Sequence, residues 1–227
     1  MNKTILHKNK LGYGLYTIPD ISRILGFPQS TVSRYIKLYW DKKVGTELYG
    51  DSYSWSIDNR TKAVNFYVMI ELYTFIHLQK LGVSVQKISK IRTQLTKELK
   101  TPYPFAIAGI LTDGKKIWYE FQDSVVETDG TRQTNIAQII HEFAKRIDFN
   151  STDQLAVRFY PKGKDSSVVV DPQHKFGLPT IKGTNINTEV LFSMIESGES
   201  VRNLSTLYDL NESQLKDVIN FHQKEVA

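Results

Sequence analysis

The sequence predicts a mostly helical α+β protein. It places a winged helix-turn-helix at one end, a small mixed α/β region in the middle and a helical, helix-turn-helix-like unit at the other end. Three observations carry this. Residues 17–40 hold two short, well-capped amphipathic segments. Apolar residues alternate with polar ones at 53–57 and again at 155–159, the strand period. The first helical pair then returns, weakly but without a gap, near residue 200. At 227 residues, with 41% hydrophobic and 23% charged side chains, the chain is long enough for two compact cores.

Thr17 is a suitable N-cap and Pro19 suits a first helical turn. Ile18, Ile21, Ile24 and Leu25 then give one buried face, which Gly26 ends. Pro28 opens the second helix, where Val32, Tyr35, Ile36 and Tyr39 form the apolar stripe. Tyr53, Trp55 and Ile57 alternate with Ser54 and Ser56, as in a short strand or hairpin, and Trp40 and Trp55 flank this possible wing. A long helix is expected from about Lys62 to Leu81, apolar around most of its circumference. Gly82 ends it, and Ser84 caps a helix whose inner face is Val85, Ile88, Ile91, Leu95 and Leu99. Lys87, Lys90, Arg92 and Lys97 fall outside that stripe.

Thr101-Pro102-Tyr103-Pro104 breaks the helical pattern, so boundaries are set to give residues 1–101, 102–167 and 168–227. In the middle piece short strands are expected over 106–127 around a turn at Asp113-Gly114. An amphipathic helix follows on Ile136, Ile139, Ile140, Phe143 and Ile147, then a strand on Leu155, Val157 and Phe159. After a polar linker, Val168-Val169-Val170 opens a segment with three further helical patterns. Here Val201–Ile219 aligns with Ile18–Ile36: apolar residues coincide at Ile18/Val201, Ile21/Leu204, Ile24/Leu207, Phe27/Leu210, Val32/Leu215 and Ile36/Ile219. Ser22/Ser205 and Ser30/Ser213 are identical.

Charge divides the chain. Residues 1–100 carry 16 Lys+Arg and 7 Asp+Glu, whereas residues 101–227 carry 13 and 17. A basic N-terminal half suits a polyanion such as nucleic acid. In the second helix Ser30, Ser33, Arg34 and Lys37 line the face opposite the apolar stripe, with Gln29 and Thr31 at its start. Gln suits adenine, Arg suits guanine, and Ser or Thr suits base or phosphate. Lys37, Lys42 and Lys43 suit phosphates. The corresponding C-terminal helix offers Glu212, Gln214, Lys216 and Asp217, a face better suited to dimerisation or another protein than to a duplex.

Enzyme chemistry finds no support in the sequence, so a non-enzyme without cofactor or metal is expected. The absence of cysteine removes thiol catalysis, disulfides and Cys-ligated metals. His7, His77, His141, His174 and His222 form no H-x-x-x-H pair, and no phosphate loop or nucleophile-elbow motif occurs. Gly12-Tyr13-Gly14 lacks the strand–helix setting of a phosphate loop, and Gly177 and Gly183 read as turn glycines. The first eleven residues lack the apolar run of a signal peptide, and no apolar stretch nears the ~20 residues of a membrane span, so a cytoplasmic location is expected.

Tyr16 to Trp40 resembles the N-terminal helix-turn-helix of MerR-type regulators and, more closely, of VapB-type antitoxins. Asp171-Pro172, Gly177-Leu178-Pro179-Thr180-Ile181-Lys182-Gly183-Thr184-Asn185-Ile186 and Glu196-Ser197-Gly198-Glu199-Ser200 resemble a bacterial domain of unknown function, the DUF433 type. Its pattern is G-x-P, I-x-G-T-x-I and a G-x-S helix start. Many of its members have Arg after Gly-Thr, where this chain has Asn185, so no role of that arginine carries over. The resemblance implies a DNA-binding repressor that neutralises a PIN-type ribonuclease toxin; a homodimer on double-stranded DNA is expected because one helix-turn-helix rarely supplies enough contact and two-fold operators match two-fold proteins. Gly177, Pro179, Gly183, Thr184, Asn185 and Glu199 are then the candidate partner-binding residues. A MerR-like regulator without a toxin, and a protein adaptor that does not bind DNA, are the alternatives.

Overall fold

The computed structural model describes residues 13–38, 40, 62–80, 82–108 and 145–223, and the backbone of 54–56. Among the described residues the chain is a mixed α/β protein with seven α-helices and three small sheets.

Strand β1 (Tyr16–Thr17) leads directly into α1 (Ile18–Leu25). Thr17 caps α1 with a full capping box: its side chain takes the Asp20 N–H, and the Asp20 carboxylate takes the Thr17 N–H at 3.0 Å. Ile21, Ile24 and Leu25 are buried, and Gly26 ends the helix at φ 72°, the left-handed geometry glycine tolerates. Helix α2 (Gln29–Tyr35) follows, with Val32, Tyr35 and Ile36 buried as expected. Tyr39 lies outside the described residues. Trp40, expected at the flank of a wing, is instead fully buried, edge-on to Phe75 at 5.4 Å between ring centroids.

Strands β2 (Ser54–Ser56) and β3 (Lys62–Val64) pair antiparallel, and β1 joins the other edge of β3, giving the order β1-β3-β2. The strand expected around Trp55 is therefore present. The helix expected from Lys62 is not continuous: residues 62–64 are strand, and α3 spans Phe66–Lys80. Asn65 sits at the break, its side-chain oxygen accepting the Val68 N–H at 2.9 Å, as an N-cap does. Eleven residues of α3 are buried, so its all-round apolar character marks it as the central helix.

Helix α4 (Val85–Leu99) is capped by Ser84 and turns Ile88, Ile91 and Leu95 inward. Arg92, expected outside that stripe, is fully buried. Its Nε donates to Glu71 of α3, and its Nη2 donates to the Pro102 carbonyl at 2.8 Å. Glu71 also accepts the Phe105 N–H at 2.6 Å. This network ties a short 3-10 turn, Pro104–Ala106, onto α3 and α4.

The strands expected over 106–127 and the helix segment 136–143 lie outside the described residues beyond 108. Ile147, read as the end of that helix, belongs to strand β4 (Ile147–Phe149), paired antiparallel with β5 (Ala156–Phe159). The two strands share the Ile147/Phe159 pair, and both residues are buried in the same apolar core, so strand pairing rather than a helical turn places Ile147. Phe159 also exchanges backbone hydrogen bonds with Val170, which connects the middle to β6 (Val168–Val169). β6 pairs antiparallel with β7 (Thr180–Ile181).

Three helices complete the chain: α5 (Thr188–Glu196), α6 (Val201–Tyr208) and α7 (Glu212–His222). One apolar core runs from Tyr16 to Val170 and includes Phe221 of α7. A second, smaller one gathers Ile181, Leu191, Leu204, Leu210, Leu215 and Val218.

The sequence repeat corresponds to two pairs of consecutive helices. α6–α7 shares several local features with α1–α2: Ser200 stands where Thr17 does and accepts the Asn203 N–H, although α7 is capped by Asn211 whereas α2 follows Pro28 with no side-chain cap. Asp209, at φ 53°, ends α6 where Gly26 ends α1. The Ser22 hydroxyl donates to the Phe27 carbonyl, and the Ser205 hydroxyl donates to that of Leu210. Two apolar matches differ in burial: Ile36 is buried where Ile219 is only half-buried, and the larger difference is at the other pair. Ile24 is in the core, whereas Leu207 is 70% exposed.

Candidate nucleic-acid interface

Burying Val32, Tyr35 and Ile36 forces the opposite side of α2 outward. Gln29, Ser30 and Arg34 are exposed there, and Thr31 and Ser33 are half-buried. Lys37, in the widened turn that continues α2, is also exposed. The guanidinium of Arg34 lies over the Tyr35 ring, 5.4 Å from its centroid, a contact that steers the side chain without neutralising it. Among the described residues no carboxylate pairs with Arg34 or Lys37. The structure thus brings Gln29, Ser30, Arg34 and Lys37 onto one polar, basic surface. Lys42 and Lys43 lie outside the described residues.

Behind this surface, α1 is clamped to the C-terminal unit. Arg23 of α1 pairs with Asp20 in its own helix at 3.4 Å and with Glu189 at the start of α5. Glu189 also lies 3.9 Å from Nδ1 of His222 in α7. The His222 ring stacks on Phe192 at 4.7 Å, and its Nε2 is 3.0 Å from the Thr188 hydroxyl. Burial and then the nearby Arg23 cation push His222 down to about 4, with Glu189 opposing. His77, between Phe27 and Tyr73, is pushed down to about 4 by burial and then by Lys80 and Arg146.

Both histidines are held neutral in the fold and regain an ordinary value when it unfolds. Their contribution is complete above about pH 6.5 and is lost as pH falls toward about 4. Melting curves from pH 7 to 4 should therefore show Tm falling more steeply for the native chain than for His77→Phe/His222→Phe. Parallel curves would refute the assignment.

The second part of the clamp is Tyr16. Its hydroxyl end abuts two neighbouring glycines of positive φ, Gly14 and Gly177. A Cβ on either would overlap the ring. Gly177 and Pro179, candidates for partner contact, are both buried, and Gly177 faces Tyr16. Gly183 turns at φ 80° and is exposed, as are Asn185 and Glu199. Thr184 is half-buried, its hydroxyl donating to the Ile181 carbonyl at 2.9 Å and accepting the Ile186 N–H at 3.1 Å. The glycine-threonine motif thus builds a turn that closes on itself, with Asn185 at its tip.

Sequence reasoning missed Tyr16, Arg23, Glu189 and His222 as a group. The available signal was Gly14 and Gly177 themselves, two glycines without a phosphate-loop context. Among the described residues no group of three His, Asp or Glu could hold a metal ion. No helix among them is long and apolar enough to cross a membrane.

The fold and surface define a mixed α/β chain with a basic helical pair near its N-terminus that is clamped, through Arg23 and Glu189, to a C-terminal group of three helices. Residues 168–222 match the model of a family described as "Protein of unknown function (DUF433)". Over 222 residues the chain is 21% identical to "Putative antitoxin VapB45" of Mycobacterium tuberculosis (strain ATCC 25618 / H37Rv), covering 91% of this chain and 92% of that one. Its fold is similar to the X-ray crystal structure of Rv2018 from Mycobacterium tuberculosis, with a TM-score of 0.68 and 19% identity, over 92% of this chain and 98% of that one.

Proposed function

We propose that the chain is a DNA-binding repressor of the antitoxin type, acting by occupancy rather than by catalysis. In this reading α1–α2 is a helix-turn-helix, α2 enters the major groove and the β2–β3 pair is a wing against the backbone. The observation that carries it is the outward row Gln29, Ser30, Arg34 and Lys37 on a helix whose other side is buried. The basic charge of residues 1–100 supports it. Similarity to a protein named as an antitoxin supports a toxin partner, proposed to be a PIN-type ribonuclease, held by residues 168–223. A homodimer on a two-fold operator is expected, since paired half-sites match paired helices.

Selection from random-sequence duplexes, repeated across a salt series, tests the DNA half. The native chain should enrich one site with two half-sites. Arg34→Ala should lose about 10–100-fold in preference for that site, the discrimination of one bidentate base contact. Lys37→Ala should instead weaken all sequences alike and flatten the salt slope by about one unit. Binding without enrichment, or equal enrichment by Arg34→Ala, would refute α2 as the reading helix. The toxin half is tested by co-expressing the full chain with the protein encoded beside it and assaying ribonuclease inhibition.

A further inference from the structure

The outward side of α2 ends on an apolar residue that the core does not use. Leu38 is 44% exposed, although it follows a helix whose Val32, Tyr35 and Ile36 are all buried. Residues 36–38 and 40 continue α2 as a widened turn. Hydrogen bonds that reach five residues back turn the chain less per residue than those of an α-helix. Trp40 is thereby carried round to the core side, where it is fully buried against Phe75. Leu38 is held beneath Arg34, four residues earlier and so on the same face. Ser30, Arg34 and Leu38 form one row at i, i+4 and i+8, with Lys37 beside it, and all four are exposed.

The C-terminal pair shows what these helix positions do when the chain covers them itself. The alignment that sets Ile36 against Ile219 also sets Arg34 against Asp217 and, two residues on, Leu38 against Phe221. α7 stays regular as far as His222, and Phe221 is buried in the main core. Asp217 accepts the Ser167 N–H at 2.7 Å. In α2 the two positions carry a cation and a leucine, and both face solvent.

Charge decides what suits the row. Among the described residues no carboxylate pairs with Arg34 or Lys37. The matching surface is therefore anionic, and it also offers an apolar group to Leu38. The major groove of a duplex does both, with phosphates along its edges and, at thymine alone among the four bases, a C5-methyl group.

We propose that Leu38 is a base-reading residue that packs on the C5-methyl of a thymine beside the base read by Arg34. This rests on the reading of α2 as the recognition helix and adds a second base to it. Four residues span about 6 Å along a helix, and stacked bases are about 3.4 Å apart. The thymine accordingly lies within about two base pairs of the guanine that Arg34 contacts.

The duplex enriched by the native chain supplies the probe. Each of its thymines is replaced in turn by deoxyuridine, which lacks only the methyl group. At one thymine per half-site, within about two base pairs of the guanine that Arg34→Ala ceases to select, the replacement should weaken binding by the native full-length chain about 4-fold, the worth of one buried methyl. Leu38→Ala and Leu38→Gln should bind the thymine and deoxyuridine duplexes alike and keep the guanine preference. An unchanged melting curve verifies that both variants fold, and the native chain's response to deoxyuridine needs no variant. The contact is overturned if no thymine is sensitive, if the sensitive thymine lies farther away, or if the sensitivity persists in both Leu38 variants. Failure to enrich any site removes the DNA reading and this contact together. An enriched site indifferent to every methyl removes the Leu38 contact alone and leaves the reading by Arg34 standing.

Discussion

Glu71→Leu is expected to lower the unfolding free energy by about 3–5 kcal/mol, the usual cost of leaving one member of a buried ion pair alone. For a chain of this size that is a fall in Tm of about 10 °C. The substitution strands two donors at once: the guanidinium of Arg92, itself fully buried, and the Phe105 N–H. Burial raises the Glu71 carboxyl above its ordinary range, and Arg92 and the Phe105 amide pull it back. The site is therefore a balance that tips when either partner goes. Glu71→Leu/Arg92→Leu should recover part of the loss, because removing both charges also removes their desolvation cost. Recovery stays incomplete, since the Phe105 N–H remains without an acceptor at about 1–3 kcal/mol. A double variant no more stable than the single one would refute the pair as the source of the effect. The consequence reaches the surface proposed to read DNA through α3, whose Phe75 contacts both Trp40 and Tyr35.

How much of this was legible in the sequence depended on the range of the interaction. The Thr17 box, the Ser84 cap and the stripes of α1, α2 and α4 are set by residues three or four apart, and all were readable. So was the copy at Val201, because the same local rules were applied twice. Arg92 was misplaced because an arginine beside an apolar stripe is normally solvated. Its partner, Glu71, lies 21 residues away inside an apolar helix, and nothing local announces it. The start of α3 was placed too early because Lys62 to Val64 fits either period over so short a run; Asn65 was the cap signal that would have corrected it. Gly177 and Pro179 were assigned to partner contact, while the ring that turn exposes, Phe176, drew no attention. Glycine signals a special backbone without saying what occupies the space beside it. Here the occupant is Tyr16, 161 residues away in sequence.

Gly177→Ala is accordingly expected to cost about 2–5 kcal/mol, from two sources that add. A φ of 82° costs a residue with a Cβ about 1–2 kcal/mol, and forcing that Cβ against a packed ring costs about 1–3 kcal/mol more. The ring cannot retreat freely, because Tyr16 is buried, packs near Phe66 and has Gly14, which adjoins Gly177, already close to its hydroxyl. Tyr16→Phe separates the sources. It deletes the atom nearest the new methyl and removes a buried hydroxyl without a hydrogen-bond partner among the described residues, so alone it should be neutral or stabilising. In that background Gly177→Ala should cost less, but not nothing, since the ring carbon at 2.8 Å and the backbone geometry remain. Chemical denaturation of the four chains should give a coupling of about 0.5–3 kcal/mol, and strict additivity would show that the two residues do not press on each other. The displacement has a direction. Tyr16 is followed by Thr17, whose hydroxyl and N–H form the capping box with Asp20, so a pushed ring pulls on the first turn of α1. Amide exchange at Asp20 should accelerate in Gly177→Ala and not in Tyr16→Phe, because only the first moves the cap at the start of α1, the helix packed against α2.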